Sequence, residues 1–134
     1  MKKIITLILA TAFIYSCSTS SDGNGNANLN QSESMLVGRW EYYVSPHPSF
    51  PNVASSYYKS YFVLNQDKSG TVGFEDIIPN QPTSDSDQIT WSATSSVITG
   101  TYADNTTISK NYIVIDQTHI NIPDNGNQQI YTKI

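Results

Sequence analysis

From residue 36 to residue 134 the chain is a succession of short runs in which apolar and polar residues alternate, separated by turn chemistry and lacking any helical period. No other feature limits the fold as much. A period of two puts residues i, i+2 and i+4 on one face, so each run reads as a strand with one side to bury. Residues 36–44 show it best. Leu36, Gly38, Trp40, Tyr42 and Val44 share one face, and Val37, Arg39, Glu41 and Tyr43 share the other. Gly38 stands where a strand bends or another group approaches closely.

Seven more runs follow. Residues 57–64 put Tyr58, Phe62 and Leu64 on one face, residues 71–75 put Val72 and Phe74 inward, and residues 87–93 align Ile89, Trp91 and Ala93. Residues 97–102, 107–115 (Ile113 and Ile115 inward), 119–122 and 128–134 complete the set. The connections are turns or loops. Residues 45–56 carry three prolines, residues 77–86 carry Pro79 and Pro82, and residues 123–127 contain Asn125-Gly126. Sequence neighbours joined this closely become antiparallel neighbours in space. Closing the eighth strand on the first leaves no bare edge. The expectation is an all-β fold, an eight-stranded antiparallel up-and-down barrel, with a β-sandwich as the alternative. Trp40, Tyr42, Phe62, Phe74 and Trp91 are its expected interior.

In such a meander successive connections fall at opposite ends. The three proline-bearing connections therefore share one rim, and the chain arrives from the other end at Leu36. His47, Phe50, Ile77 and Ile78 lie in the loops of that rim, where they either meet a ligand or partner or seal the barrel mouth.

The beginning of the chain is of another kind. Met1-Lys2-Lys3 is basic, residues 4–14 are an apolar run of eleven, and Ser16 is a small residue before Cys17. This is the pattern of a secretory signal. Eleven residues are too few for a membrane-spanning helix, which needs ~20. In shape, Ile14-Tyr15-Ser16-Cys17 resembles the lipobox of bacterial lipoproteins. That resemblance implies cleavage after residue 16, a diacylglycerol on the Cys17 thiol, and attachment to the cell envelope at the outer membrane through the lipid. The competing reading is an ordinary secreted protein with one stray cysteine. A single cysteine forms no internal disulfide, so the core alone must hold the fold. The division is residues 1–16 signal peptide, 17–35 lipidated flexible tether and 36–134 barrel domain.

Removing the signal leaves five cations against eleven acids, hence a charge of −6. An acidic chain without a basic cluster is a poor partner for nucleic acid or an anionic membrane surface. Residues 18–34 hold no aromatic and one large apolar residue, Leu29. Such a segment buries too little to offset its ordering entropy and spans ~23 Å as a coil. Asp22, Asn24, Asn26, Leu29 and Glu33 fall at ligand positions of a calcium loop, but Ala27 occupies the place where the turn needs Gly. The tether reading is preferred.

With the first strand and the strand order in place, Gly38-Arg39-Trp40 resembles the Gly-x-Trp that opens lipocalins. Residues 36–134 are similar to the short lipocalin-like domains of Bacteroidetes lipoproteins. The resemblance includes the turn before Gly70-Thr71, Ile89-Thr90-Trp91, and Thr118-His119-Ile120-Asn121-Ile122. It implies that Trp40 sits inside the closed end of the barrel, that a cation from the last strand lies across it, and that small apolar molecules are bound. Lys133 is the only cation in that strand, and alternation with Ile130, Thr132 and Ile134 points it outward.

No arrangement of residues supports catalysis, a metal or a cofactor. His47 lies between two prolines and His119 begins a strand, and both read as solvated surface histidines. Glu75-Asp76 and Asp85-Ser86-Asp87 read as solvated acids in preference to a cation site. Two functions remain: a barrel that holds a small hydrophobic or amphipathic ligand, and a packed barrel whose loops meet another envelope protein. A continuous apolar cavity above ~300 Å³ separates them.

Overall fold

The computed structural model describes residues 28–134. The signal sequence, Cys17 and most of the expected tether lie outside the described residues. One short helix, α1 (Gln31–Leu36), precedes nine strands: β1 (Gly38–Val44), β2 (Tyr57–Leu64), β3 (Ser69–Ile77), β4 (Thr83–Ala93), β5 (Val97–Tyr102), β6 (Thr107–Asn111), β7 (Ile113–Val114), β8 (His119–Asn121) and β9 (Ile130–Lys133). All pairings are antiparallel, and the strands form one sheet in the order β6-β5-β4-β3-β2-β1-β9-β8-β7. β1 pairs with both β2 and β9, so the sheet curls into a nearly closed barrel, as the alternation implies.

The ninth strand comes from a break. Residues 107–115, expected as one strand, change partners at Tyr112. β6 pairs with β5, and β7 pairs with β8. Tyr112 is 3% exposed, its N–H donates to Ser96 O at 2.8 Å and its hydroxyl donates to Thr94 O at 2.8 Å. The expected inward pair is therefore corrected: Ile113 and Ile115 are 60% and 54% exposed, and Tyr112 faces the core. Beyond Tyr112, β6 has no ladder partner on its second edge. A side slot runs there between β6 and residues 122–129, crossed by Lys110 Nζ and Asp124 Oδ1 at 2.8 Å.

Directly paired residues of an antiparallel ladder point to one face. The inward rows follow: Trp40, Phe62 and Val72; Tyr42, Ser60 and Phe74; Leu64, Gly70 and Ile89; Trp91, Gly100 and Ile108; Ile120 and Tyr131. The β3–β4 hairpin extends further than expected. Residues 83–86, read as loop, continue β4 and pair with β3. Asn80, Asn105 and Asn125 take positive φ in the connections, a conformation their short polar side chains tolerate.

The second correction concerns residues 29–36. The packed unit begins before Leu36, because Leu29 packs on the core and α1 closes one end of the barrel. Asn30 caps the helix in a reciprocal pair: its side chain accepts from Glu33 N–H, and Glu33 Oε2 accepts from Asn30 N–H, each at 2.9 Å. Glu33 also accepts from Ala93 N–H at 3.2 Å and pairs with Lys68. Burial alone raises the Glu33 carboxyl, but Lys68 and the Asn30 and Ala93 N–H donors outweigh it and hold the group below its ordinary range. Leu36 is fully buried and accepts the Trp40 indole N–H at 2.8 Å.

Candidate functional site

The two ends of the barrel differ. At the α1 end the interior is filled. Trp40 is fully buried and stacks 6.3 Å from Phe62. Trp91 is buried, and its indole N–H donates to Asn65 O at 3.0 Å, so the β2–β3 turn folds over it. Lys133, expected outward, is a third correction. It pairs directly with Trp40, which places it on the inward face, and its Nζ lies 5.3 Å above the Trp40 ring and donates to Met35 O at 2.9 Å. The alternation of β9 runs the other way: Tyr131 is buried, while Ile130 and Ile134 are exposed. Gly38 makes the arrangement possible. At φ +129° it has no side chain, and a Cβ there would lie 2.8 Å from Lys133 Cε.

Toward the other end the interior opens. A cavity of about 250 Å³ lies between Phe62, Leu64, Val72, Ile89, Ile98, Ile108 and Ile122. Its polar groups are the side chains of Tyr58, Ser60 and Tyr131 and, at the side slot, Lys110, Asp124 and Gln129. Gly100 contributes by what it lacks, since a Cβ there would stand 3.0 Å from Ile89 Cδ1. A shallower groove of about 290 Å³, with Phe74, Asp85, Asp87 and Tyr102 on its walls, shares Tyr58, Ser60, Val72, Gly73 and Ile108 with the cavity. The enclosed part falls short of ~300 Å³, so the barrel is half packed and half open.

Of the expected interior residues, Trp40, Phe62 and Trp91 are buried. Tyr42 is half-buried, 5.8 Å from the Tyr131 ring. Phe74 has the inward parity but is 37% exposed, because the β3–β4 hairpin carries it beyond the packed core to the groove. Of these five only Phe62 lines the cavity.

The rim residues gather less than expected. His47, Phe50, Ile77 and Ile78 are absent from the cavity walls. His47 is no solvated histidine: its side chain is 13% exposed, it packs 5.9 Å from Phe50 and 6.5 Å from Tyr58, and its Nε2 faces Asp76 Oδ1 at 3.2 Å. Its Nδ1 accepts from Ser49 N–H at 3.0 Å. His47 thus ties the loop of residues 45–56 to the β3–β4 hairpin. Ile77 ends β3 and is half-buried, as is Ile78, and Phe50 is exposed.

The acids do not converge on a cation. Glu75 and Asp76 are consecutive in a strand and face opposite sides. Lys59 first, then Tyr57, hold the Glu75 carboxyl below its ordinary range. Among the described residues no group of three or more His, Cys, Asp or Glu could hold a metal ion. Glu33, a candidate calcium ligand, has its carboxylate committed to Asn30, Ala93 and Lys68. His119 lies 2.9 Å from Asp116, whose carboxyl the Thr118 N–H and hydroxyl and His119 lower to about 2.

Sequence reasoning missed Ser60, Tyr131, Lys110 and Gly100. Their signal lay in pairing rather than in composition, since each becomes a cavity residue only through the strand register. No family model, no curated protein and no solved structure matches the chain.

Proposed function

We propose that the protein is a lipid-anchored, lipocalin-like lipoprotein of the bacterial cell envelope at the outer membrane. It binds a small hydrophobic or amphipathic molecule in the open half of its barrel and carries out no catalysis. The carrying observation is the cavity of about 250 Å³ between β2, β3, β4, β5 and β6, below ~300 Å³ by itself but sharing five wall residues with the groove of about 290 Å³ at the mouth. Eight-stranded barrels are the size at which an interior either fills or keeps room for one small molecule. The Gly38, Trp40 and Lys133 arrangement supports the lipocalin-like part of this reading, and the lipobox-like Ile14-Tyr15-Ser16-Cys17 supports the anchor.

A second reading, a protein-interaction module, rests on a different surface. Tyr43, Ile130, Ile113 and Ile115 are exposed on the outer side of β1, β9 and β7 and the turn that follows. Native mass spectrometry of the protein purified from its own cells tests both. A retained small molecule is expected. Recovery as the bare lipidated polypeptide, together with an envelope protein in stoichiometric amount, would replace the first reading with the second.

A further inference from the structure

Ser60 and Tyr131 carry two hydroxyl protons and use one of them. Their oxygens are 2.8 Å apart, and whichever group donates, the other proton has no acceptor among the described residues. Both side chains line the cavity; Tyr131 is only 6% exposed and Ser60, which also borders the groove, is half-buried. A buried donor that meets no acceptor is costly. Water in the cavity can serve it in the free protein, and a ligand that displaces this water must return an acceptor or lose affinity.

The charges nearby narrow the choice. Lys110, the one cation on the cavity wall, is paired with Asp124. Asp85 and Asp87 stand on the inward face of β4 and line the adjoining groove. A carboxylate ligand would pass these acids without a cation to receive it. An ammonium group offers donors only and leaves the hydroxyl proton unserved. Burial raises the Tyr131 hydroxyl above its ordinary value, so it stays protonated as a donor. Size narrows the choice again. A cavity of ~150 Å³ holds one benzene, so about 250 Å³ corresponds to roughly ten non-hydrogen atoms.

Resting on the ligand-binding reading above, we propose that the cavity takes a small uncharged molecule with an apolar body and one accepting oxygen, a ketone being the simplest case. The oxygen receives the spare Ser60–Tyr131 proton, and the body lies among Ile89, Ile98, Ile108 and Ile122.

Calorimetric titration of the purified full-length protein tests this with three probes: propiophenone, butylbenzene of the same size without the oxygen, and anionic 4-phenylbutyrate. Either single variant, Ser60→Ala or Tyr131→Phe, still leaves one proton free, so the decisive protein is the Ser60→Ala/Tyr131→Phe double variant. Its melting temperature is recorded alongside to show that it is folded. Partition of a probe into lipid or detergent is common to both proteins and cancels in the comparison. Propiophenone is expected to bind the wild type most tightly and to lose about tenfold in the double variant, the worth of one hydrogen bond to the spare donor, while butylbenzene, which strands that donor in the wild type, binds the double variant more tightly. Equal propiophenone affinity in the two proteins, or a preference for 4-phenylbutyrate, overturns this inference and leaves the ligand-binding reading standing. If none of the three binds, the inference is overturned, and the native mass spectrum decides whether the wider reading falls with it.

Discussion

Lys133 lies across the Trp40 ring because Gly38 leaves its stem a path. The ammonium is 5.3 Å from the ring centroid, and a methyl group at Gly38 would stand 2.8 Å from Lys133 Cε. Two residues from the start of the domain's sequence and one from its finish thus form one unit at the filled end of the barrel. Gly38→Ala is expected to destabilise the protein by about 1–3 kcal/mol, through the positive φ and through the displaced lysine. In a double-mutant cycle Lys133→Ala should relieve the second part only. Urea unfolding of the four proteins checks this, and strictly additive costs would show that Gly38 and Lys133 do not communicate.

Trp40→Ala should cost about 3–5 kcal/mol by opening a cavity at the filled end of the barrel. A domain of this kind has roughly 5–15 kcal/mol in total. Thermal unfolding followed by near-ultraviolet circular dichroism reads the effect, and an unchanged midpoint would contradict the burial of this side chain.

Glu33 makes the protein acid-sensitive. Its folded-state carboxyl lies below its ordinary 4.5, so the unfolded chain binds the proton more readily. The stability it contributes is complete above about pH 4.5 and is lost as pH falls through the folded value. Glu33→Ala is expected to cost about 3 kcal/mol near neutrality, since it strands Lys68 and two N–H donors. It should also flatten the acid limb of a stability–pH curve. A variant that keeps the wild-type acid slope would move the responsibility to other carboxylates.

If the proposed lipid anchor is what holds the protein at the membrane, Cys17→Ser should release it into the soluble fraction, since acyl chains contribute ~0.8 kcal/mol per buried methylene. Fractionation of cells that express the two proteins reads this directly. Equal retention of the serine variant would remove the lipid anchor from the proposed function.

The inward face of β4 was legible because its apolar residues, Ile89, Trp91 and Ala93, lie on one side only, and those of β2 and β3 because Phe62, Leu64 and Val72 continue the same alternation. At Ile113-Val114-Ile115 both faces are apolar and the period of two has no phase to read; pairing of Val114 with the buried Ile120 sets the phase, and Tyr112 shares the inward parity. In β9 the phase was read from Ile130 and Ile134, yet pairing of Lys133 with Trp40 sets the opposite one. Residues 83–86 are all polar (Thr-Ser-Asp-Ser), since that part of the hairpin runs past the core, and only the partner strand reveals it as β structure. The helix α1 has six residues, too few for a 3.6-residue period. Its one signal was the Asn30 and Glu33 spacing of a capping box, set in a polar stretch. The cavity was legible least, because a void is defined by the register of several strands together.

Residues 107–115 belong to both margins of the sheet, with Tyr112 fixed between them by Ser96 and Thr94. The barrel wall is therefore completed by the continuous peptide chain, without a full ladder of hydrogen bonds. No ladder runs between β6 and residues 122–129, and the Lys110–Asp124 pair across that side is a solvent-exposed contact of the kind worth ~0–1 kcal/mol. That flank is thus held by the chain itself and by one surface ion pair, where the flanks at β2–β3 and β3–β4 are held by eight-residue ladders.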